Sequence, residues 1–267
     1  MSTVRNNNHQ DPLPGQRLLH RYDAVGGIGS GSVSDVYLAR QPSVGNRNVA
    51  VKILKKVICT SDTAEASVHR SRFNAEAELM SMLRDGCFAR VLDVGVIQDD
   101  VARPFVVMEY LAGVTMEEHL KAGQKFPAGA GIRLFLAIAE GVCELHHYKV
   151  VYRDLSPRNV ILEEGGPYGM VPRLFDFSHS THMGVEELQA EGTKAQLLAG
   201  TPPYAAPELA LGQGDERSDV FSLAGVFYAL ISGTQPLELH SNTWADYITA
   251  LSTLKSLPDR SLRDRGH

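Results

Sequence analysis

Two carboxylates and an amide occur close together in the middle of the sequence, beside short apolar runs. Asp154 and Asn159 lie in the stretch VYRDLSPRN, and Asp176 follows after two apolar runs that predict a β-hairpin. Oxygen ligands of this kind suit Mg²⁺, and a carboxylate can also orient a hydroxyl group for reaction. Isolated residues of these types could equally well cap turns. The spacing therefore predicts a candidate metal and acid–base site that needs support from the rest of the chain.

The loop around Asp154 also carries a cation in apolar surroundings. Arg153 and Asp154 lie between Val151 and Leu155, and Pro157 prevents a regular helix. A buried guanidinium requires acceptors. The pattern leaves two interpretations of Arg153 open: it pairs with an anion, or backbone carbonyls satisfy it.

A glycine-rich turn and a lysine nearer the N-terminus could bind phosphate. The turn reads GIGSGSVSDV, and its glycines would let backbone N–H groups approach phosphate oxygens, although a tight hairpin explains them too. Lys52 lies in the apolar strand VAVKIL, opposite the face that carries Val49, Val51 and Ile53. It needs an anionic partner, or its face is solvated. Glu76, on the following helical segment, is a candidate partner.

The elements that must position these residues change character along the chain. Residues 21–54 predict strands separated by glycine turns, residues 67–84 predict a helix, and ARVLDVGVI and PFVVMEYL predict two further strands. This antiparallel part ends near Gly113, which we interpret as a hinge. We therefore expect an α+β protein whose small β-rich lobe contains a single helix.

The second half of the chain is mainly helical. TMEE at 115–118 matches a capping box, and residues 128–147 carry an apolar stripe that includes Ile132 and Ile138. Residues 218–233 are apolar nearly all round, which predicts a buried central helix. A cleft between a β-rich lobe and a larger helical lobe is the expected position of a ligand site.

Composition excludes several classes of function. The formal net charge of −5 argues against nucleic acid as a partner, and no run of about 18 apolar residues predicts a membrane segment. Three scattered cysteines and the absence of an apolar N-terminal signal predict a reduced, cytoplasmic protein. Residues 1–18 are rich in Asn and Pro and predict a flexible tail. The oligomeric state is not predicted.

In combination and in this order, the glycine turn, strand lysine, helix glutamate, RDLxxxN, DF and APE resemble the protein kinase family. The likeness is to the eukaryotic-type (Hanks-type) Ser/Thr kinases that also occur in bacteria, and it covers about residues 22–235. It implies a two-lobed kinase-like domain over 19–267, with an N-lobe of about 19–110 and a C-lobe of about 111–267. Only about thirty residues follow SGTQPL, too few for the full set of closing helices, so the late C-lobe helices are expected to be missing.

The resemblance also implies roles for individual residues. Asp154 would be the catalytic base, Lys52 would reach the α- and β-phosphates of ATP, Glu76 would hold Lys52, and Asn159 and Asp176 would bind Mg²⁺. Asp219 would tie the backbone of the catalytic loop. The implied nucleotide contacts are Ile28, Gly29, Gly31, Val36, Ala50, Lys52, Met108, Glu109, Leu111, Asn159 and Asp176.

Four positions depart from the family pattern. Tyr152 replaces the histidine of HRD, Ser156 a lysine, Ser178 the glycine of DFG, and Ser34 the third loop glycine. Arg158 could supply the positive charge that Ser156 lacks, unless it is a solvated surface residue. None of the four changes removes a metal ligand or the base.

Three functions fit these residues. The favoured one is an ATP- and Mg²⁺-dependent Ser/Thr kinase that acts on protein hydroxyls. The weak phosphate loop and the missing lysine instead favour a pseudokinase, a nucleotide-binding interaction module with little turnover. A small-molecule kinase of similar fold is the third, and GTPPYAAPE, which resembles a peptide-docking segment, argues against it.

Overall fold

The computed structural model describes residues 17–18, 21–84, 86–98, 101–165, 169–182, 200–241 and 243–255. The described residues fall into two compact units. The first comprises those up to Val114 together with Ile161–Ser178, and the second comprises Thr115–Val160 with those from His179 onward. The first unit is mainly antiparallel sheet and the second is mainly helical, which confirms the predicted α+β class. The described part of the first unit contains two α-helices, Lys56–Thr60 and Ala64–Met82, instead of the single helix predicted.

The strands are β1 (Arg17–Leu18), β2 (Tyr22–Ser30), β3 (Ser34–Gln41), β4 (Arg47–Leu54), β5 (Val91–Gln98), β6 (Ala102–Glu109), β7 (Gly113–Thr115), β8 (Val150–Val151), β9 (Val160–Glu164), β10 (Met170–Leu174) and β11 (Thr181–His182). The helices are α1 (Lys56–Thr60), α2 (Ala64–Met82), α3 (Met116–Lys121), α4 (Ala128–His147), α5 (Glu216–Ser232) and α6 (Trp244–Lys255). Residues 1–16 of the predicted flexible tail lie outside the described residues. Its last two residues, 17 and 18, form β1 and pair with β2.

Six strands of the first unit form one sheet in the order β1-β2-β3-β4-β6-β5. Within it Val36 lies opposite Lys52, and Ala50 lies opposite Met108. Because side chains alternate between the two faces of a strand, these four residues share one face. The other face forms an apolar core that includes Val51. Four of the predicted nucleotide contacts are therefore neighbours on one surface.

Strand β4 is buried on both faces. Val49, Val51 and Ile53 pack into the core on one side, while Lys52 and Leu54 are buried on the other. The second side is covered in part by α2, whose Phe73 packs with Leu54 and Val106. The interpretation of Lys52 as lying on a solvated strand face is therefore wrong.

Helix α2 begins at a side-chain cap. The Thr63 hydroxyl accepts the backbone N–H of Ala66, which satisfies one of the unpaired donors of the first turn. The helix ends at Met82, and the residue that follows it, Leu83, is extended. Its buried residues include Phe73, Glu76 and Met80, so the same face that packs against the sheet also carries the predicted partner of Lys52.

Gly113, which we interpreted as a hinge, packs closely against the backbone of a neighbouring strand. Gly113 begins β7, which is the edge strand of a second sheet ordered β10-β9-β7. A Cβ atom at Gly113 would overlap the carbonyl oxygen of Leu162 and touch Ile161. Glycine is required here by the close approach of two backbones rather than by a need to bend.

The second unit contains the predicted capping box. The Thr115 side chain accepts the Glu118 N–H, and the Glu118 carboxylate accepts the Thr115 N–H, so α3 begins where TMEE predicts. In α4, Ile138 is buried as expected, but Ile132 is exposed, so the apolar stripe reaches solvent near its N-terminal end.

Helix α5 differs from its prediction as a helix buried all round. One face is buried and combines small or polar residues such as Ser222 and Gly225 with Val226 and Leu230. The apolar residues that reach solvent are Val220, Phe221, Phe227, Tyr228 and Ile231. Hydropathy alone marked these residues as core, because it does not show which face of a helix has a neighbour.

The C-terminal helix of the described chain is tied to the GTPPYAAPE segment. Tyr247 of α6 is buried and donates a hydrogen bond to the carbonyl of Ala205. Trp244 packs edge-on against Tyr247 and contacts the cluster that contains Ala205. No helix within the described residues combines the length and apolar character that crossing a bilayer requires.

Candidate active-site groups

In the first unit, Lys52, Glu76 and Asp176 form one ionic group. The Lys52 Nζ lies 2.6 and 2.7 Å from the two Glu76 carboxylate oxygens and 3.5 Å from Asp176 Oδ1. Lys52 and Glu76 are 9% and 7% exposed, whereas the Asp176 side chain is 42% exposed. The buried pair therefore fixes the position of a cation, and the carboxylate beside it is partly exposed to solvent.

The protonation of Lys52 and Glu76 depends on their burial and on the neighbouring charged groups. Burial alone would lower the pKa of the Lys52 ammonium, but the charges of Glu76 and Asp176 and their hydrogen bonds raise it above its ordinary value. Burial raises the pKa of Glu76, and Lys52 opposes that rise. Lys52 is therefore cationic at neutral pH.

The segment that carries Asp176 is anchored to the same ion pair. The backbone N–H of Phe177 donates to Glu76 Oε1 at 3.2 Å, and the Phe177 ring packs against Phe88 at a centroid distance of 5.8 Å. Asp176 has φ of 62°, a left-handed conformation that costs free energy in a non-glycine residue. Ser178 has no positive φ and donates its N–H to Asp176 Oδ1, so serine fits the DFG glycine position without backbone strain.

Apart from Asn159, the remaining predicted nucleotide contacts lie in the same unit. Ile28 and Gly29 are exposed at the end of β2, and Gly31 is exposed in the turn that follows. Leu111 is buried, and the Glu109 side chain is engaged by Arg173. Each of these roles stays a prediction.

In the second unit, Asp154 is held between an amide and a hydroxyl. Asn159 Nδ2 donates to Asp154 Oδ2 at 2.8 Å and to the Asp154 carbonyl, while Thr201 Oγ1 lies 2.8 Å from Asp154 Oδ1. Ser156 is fully buried and lies 3.1 Å from the Thr201 hydroxyl. The serine in the place of the family's lysine therefore continues a chain of hydroxyls that ends on the Asp154 carboxylate.

Asp219 fixes the backbone immediately before Asp154. Its buried carboxylate accepts the N–H groups of Tyr152 and Arg153, each at 2.8 Å, and lies 2.8 Å from His146 Nε2. Arg153 has φ of 68°, so these bonds hold a strained residue in place. The role that the resemblance implied for Asp219 agrees with this geometry.

Comparison with known sequences bears directly on these groups. Residues 22–262 match the protein kinase domain family. The chain belongs to that family. Among its relatives, the Ser/Thr-protein kinase pkn2 of Myxococcus xanthus is 32% identical over 82% of this chain and 25% of its own length. The DNA damage-responsive Ser/Thr-protein kinase RqkA of Deinococcus radiodurans is 32% identical over 84% of this chain and 31% of its own.

A third relative, Ser/Thr-protein kinase A of Synechocystis, is 30% identical over 90% of this chain and 46% of its own length. The chain thus spans from a quarter to nearly half of these relatives. The comparisons confirm the resemblance to bacterial Hanks-type kinases, and the relatives' names give no support to the alternative of a pseudokinase.

Sequence reasoning missed His146, which contacts the carboxylate that holds the backbone before Asp154. His146 and His147 end α4 side by side, and only the structure shows that His146 reaches Asp219, 73 positions further along the chain. An adjacent pair of polar aromatic residues at a helix end was the available signal, but periodicity does not show which of the two faces inward.

Replacing His146 with alanine is expected to destabilise the kinase domain by about 1–3 kcal/mol, because it removes one of three partners of a buried carboxylate. His147→Ala is the matched control, since His147 is exposed, and it should stay within about 0.5 kcal/mol of wild type. Urea unfolding of both variants measures the difference. Equal midpoints for the two variants would show that the His146–Asp219 contact contributes nothing.

Proposed function

We propose that this kinase domain transfers the γ-phosphoryl group of ATP to serine and threonine hydroxyls of protein substrates. The observation that carries the proposal is the buried Lys52–Glu76 pair with the accessible Asp176 carboxylate beside it. A lysine held by a glutamate in this way is suited to bind nucleotide phosphates, because the ion pair fixes its position before the ligand arrives.

Lys52 would hold the α- and β-phosphates. The shared sheet face of Val36, Ala50 and Met108 would pack against the base, with the backbone of Glu109 and Leu111 at its edge. Ile28, Gly29 and Gly31 would cover the phosphates. These three residues are exposed at the end of β2 and in the turn that follows it, where the Gly31 N–H donates to the Ser34 carbonyl.

The donor set fits Mg²⁺. Asp176 offers an accessible carboxylate, and Asn159 uses its amide nitrogen on Asp154, so its carbonyl oxygen is the atom that could bind a cation. Hard oxygen ligands of these two types suit Mg²⁺. When bound, the ion would neutralise charge on the transferred phosphoryl group.

Asp154 would act as the base. The substrate hydroxyl oxygen would form a bond to the γ-phosphorus as the bond to the β-phosphate oxygen breaks, ADP would leave, and the hydroxyl proton would pass to Asp154. The contacts from Asn159 and Thr201 orient this carboxylate before substrate binds. Thr201 also resembles the Ser/Thr-kinase form of the segment, which supports serine and threonine as acceptors.

Arg158 would compensate for the neutral Ser156. It lies exposed in the one-turn 3₁₀ helix Pro157–Asn159, so its guanidinium is accessible to a phosphate. Fully buried Ser156 carries no charge to offer.

Thermal unfolding tests the nucleotide and metal assignments together. Because a ligand that binds only the folded state stabilises it, Mg²⁺ and ATP at 100 times the dissociation constant are expected to add about 2.7 kcal/mol. Asp176→Ala should lose the magnesium-dependent part of that gain. Asp246→Ala, at an acid near the start of α6, is the control and should respond as wild type does. An equal magnesium-dependent gain in Asp176→Ala would refute the metal assignment.

A further inference from the structure

Arg173 on β10 lies at the centre of an ionic network in the first unit. Its side chain is 12% exposed, and one guanidinium nitrogen donates to Glu109 Oε2 at 2.6 Å and to the Phe88 carbonyl at 2.8 Å. The other terminal nitrogen donates to Glu163 Oε2 at 2.9 Å. The forked guanidinium therefore bridges two carboxylates, a geometry that a single ammonium cannot reproduce.

The two carboxylates bound by Arg173 hold opposite ends of one short segment. Glu109 begins the segment, and Glu163 Oε1 accepts the backbone N–H of Ala112 at 2.8 Å. Residues 109–112 are thus fixed at their first residue through a side chain and at their last residue through a backbone amide. Both connections meet at Arg173.

The network is charged as well as hydrogen-bonded. Burial alone would raise the pKa of Glu109, but hydrogen bonds and charge from Arg173, with a contribution from Arg90, hold it below its ordinary value. Glu109 is therefore a carboxylate at neutral pH. Removing Arg173 would leave Glu109 and Glu163 as like charges without the cation that joins them.

We infer that Arg173 is a positioning residue for adenine recognition, because it fixes the backbone of residues 109–112 that would meet the edge of the base. The inference rests on the proposed function, which assigns ATP to this kinase domain. Arg173 acts through Glu109 and Glu163 and does not itself contact the nucleotide. If residues 109–112 were less ordered, they would hold the binding conformation for only a fraction of the time. The apparent affinity for ATP would then fall in proportion to that fraction.

The test uses Arg173→Met, which keeps an apolar stem of similar length, and Arg173→Lys, which keeps the charge but loses the fork. Arg40→Met is the matched control, since Arg40 is an exposed arginine on a strand of the same unit. Isothermal titration with Mg·ATP measures affinity. Amide hydrogen exchange in nucleotide-free protein measures the order of residues 109–112.

Arg173→Met is expected to weaken Mg·ATP binding by about tenfold and to speed exchange at Ala112 by a similar factor. Arg173→Lys should lie between that variant and wild type, and Arg40→Met should match wild type. A merely structural role would lower the fraction of protein that binds while leaving the dissociation constant and the exchange rate unchanged.

Wild-type affinity in Arg173→Met, or weaker binding without faster exchange at Ala112, would overturn the inference. If Arg173→Met does not fold, Arg173→Lys decides, and wild-type affinity in that variant overturns the inference too. If wild type and Arg40→Met do not bind Mg·ATP at all, the proposed function fails, and this inference fails with it.

Discussion

Lys52→Met is expected to lose most of the turnover and also to lower the free energy of unfolding by about 3–5 kcal/mol, since it leaves a buried carboxylate without its partner. Glu76 is 7% exposed, and burial already raises its pKa. Its other contact, the Phe177 N–H at 3.2 Å, does not compensate a full charge. A lysine on a solvated strand face, the other interpretation that the sequence allows, would instead be replaceable without loss of the fold.

A double variant separates the two effects. Lys52→Met with Glu76→Gln removes both charges, so most of the lost stability should return while turnover stays low. Urea unfolding of the two single variants and the double variant gives the coupling energy. If the two single losses simply add in the double variant, Lys52 and Glu76 do not stabilise the fold as a pair.

Asp154→Asn is expected to reduce turnover by about 10²–10⁴-fold, because an amide cannot accept the proton of the substrate hydroxyl. The asparagine keeps one acceptor oxygen for Asn159 or Thr201, so the loop should stay ordered. ATP affinity should be unchanged, since Asp154 is assigned to the hydroxyl and not to the nucleotide.

Steady-state phosphorylation of a generic basic protein measures this effect, and titration of ATP gives the affinity. Asp246→Asn, an acid of the second unit that accepts the Ser241 N–H, is the control and should match wild type. Wild-type turnover in Asp154→Asn would remove Asp154 from the chemistry.

Sequence reasoning succeeded where a local pattern carries the information. The alternation in VAVKIL placed Lys52 opposite Val51, and TMEE located the start of α3, because strand period and capping chemistry both act over a few residues. The pairing of Lys52 with Glu76 was expected from the family resemblance, because the residue types alone also allowed a solvated lysine.

It failed where the deciding contact is made by a distant part of the chain. Nothing in VAVKIL shows that α2 covers the Lys52 face, and nothing in the sequence of α5 shows that Phe221 and Ile231 are exposed to solvent. Arg173 looked like an ordinary strand arginine, because its partners Glu109 and Phe88 lie 64 and 85 positions away. Residue types alone do not select such partners.

The single tryptophan gives the protein a built-in spectroscopic reporter. Trp244 packs against Tyr247 in the second unit, so its fluorescence emission follows the melting of that unit. Lys52 and Glu76 belong to the first unit, which is mainly β-sheet. Circular dichroism at wavelengths typical of strands follows the unfolding of that sheet. Comparing the two signals for Lys52→Met then measures whether the units melt as one cooperative body, since coincident transitions are the signature of two-state unfolding.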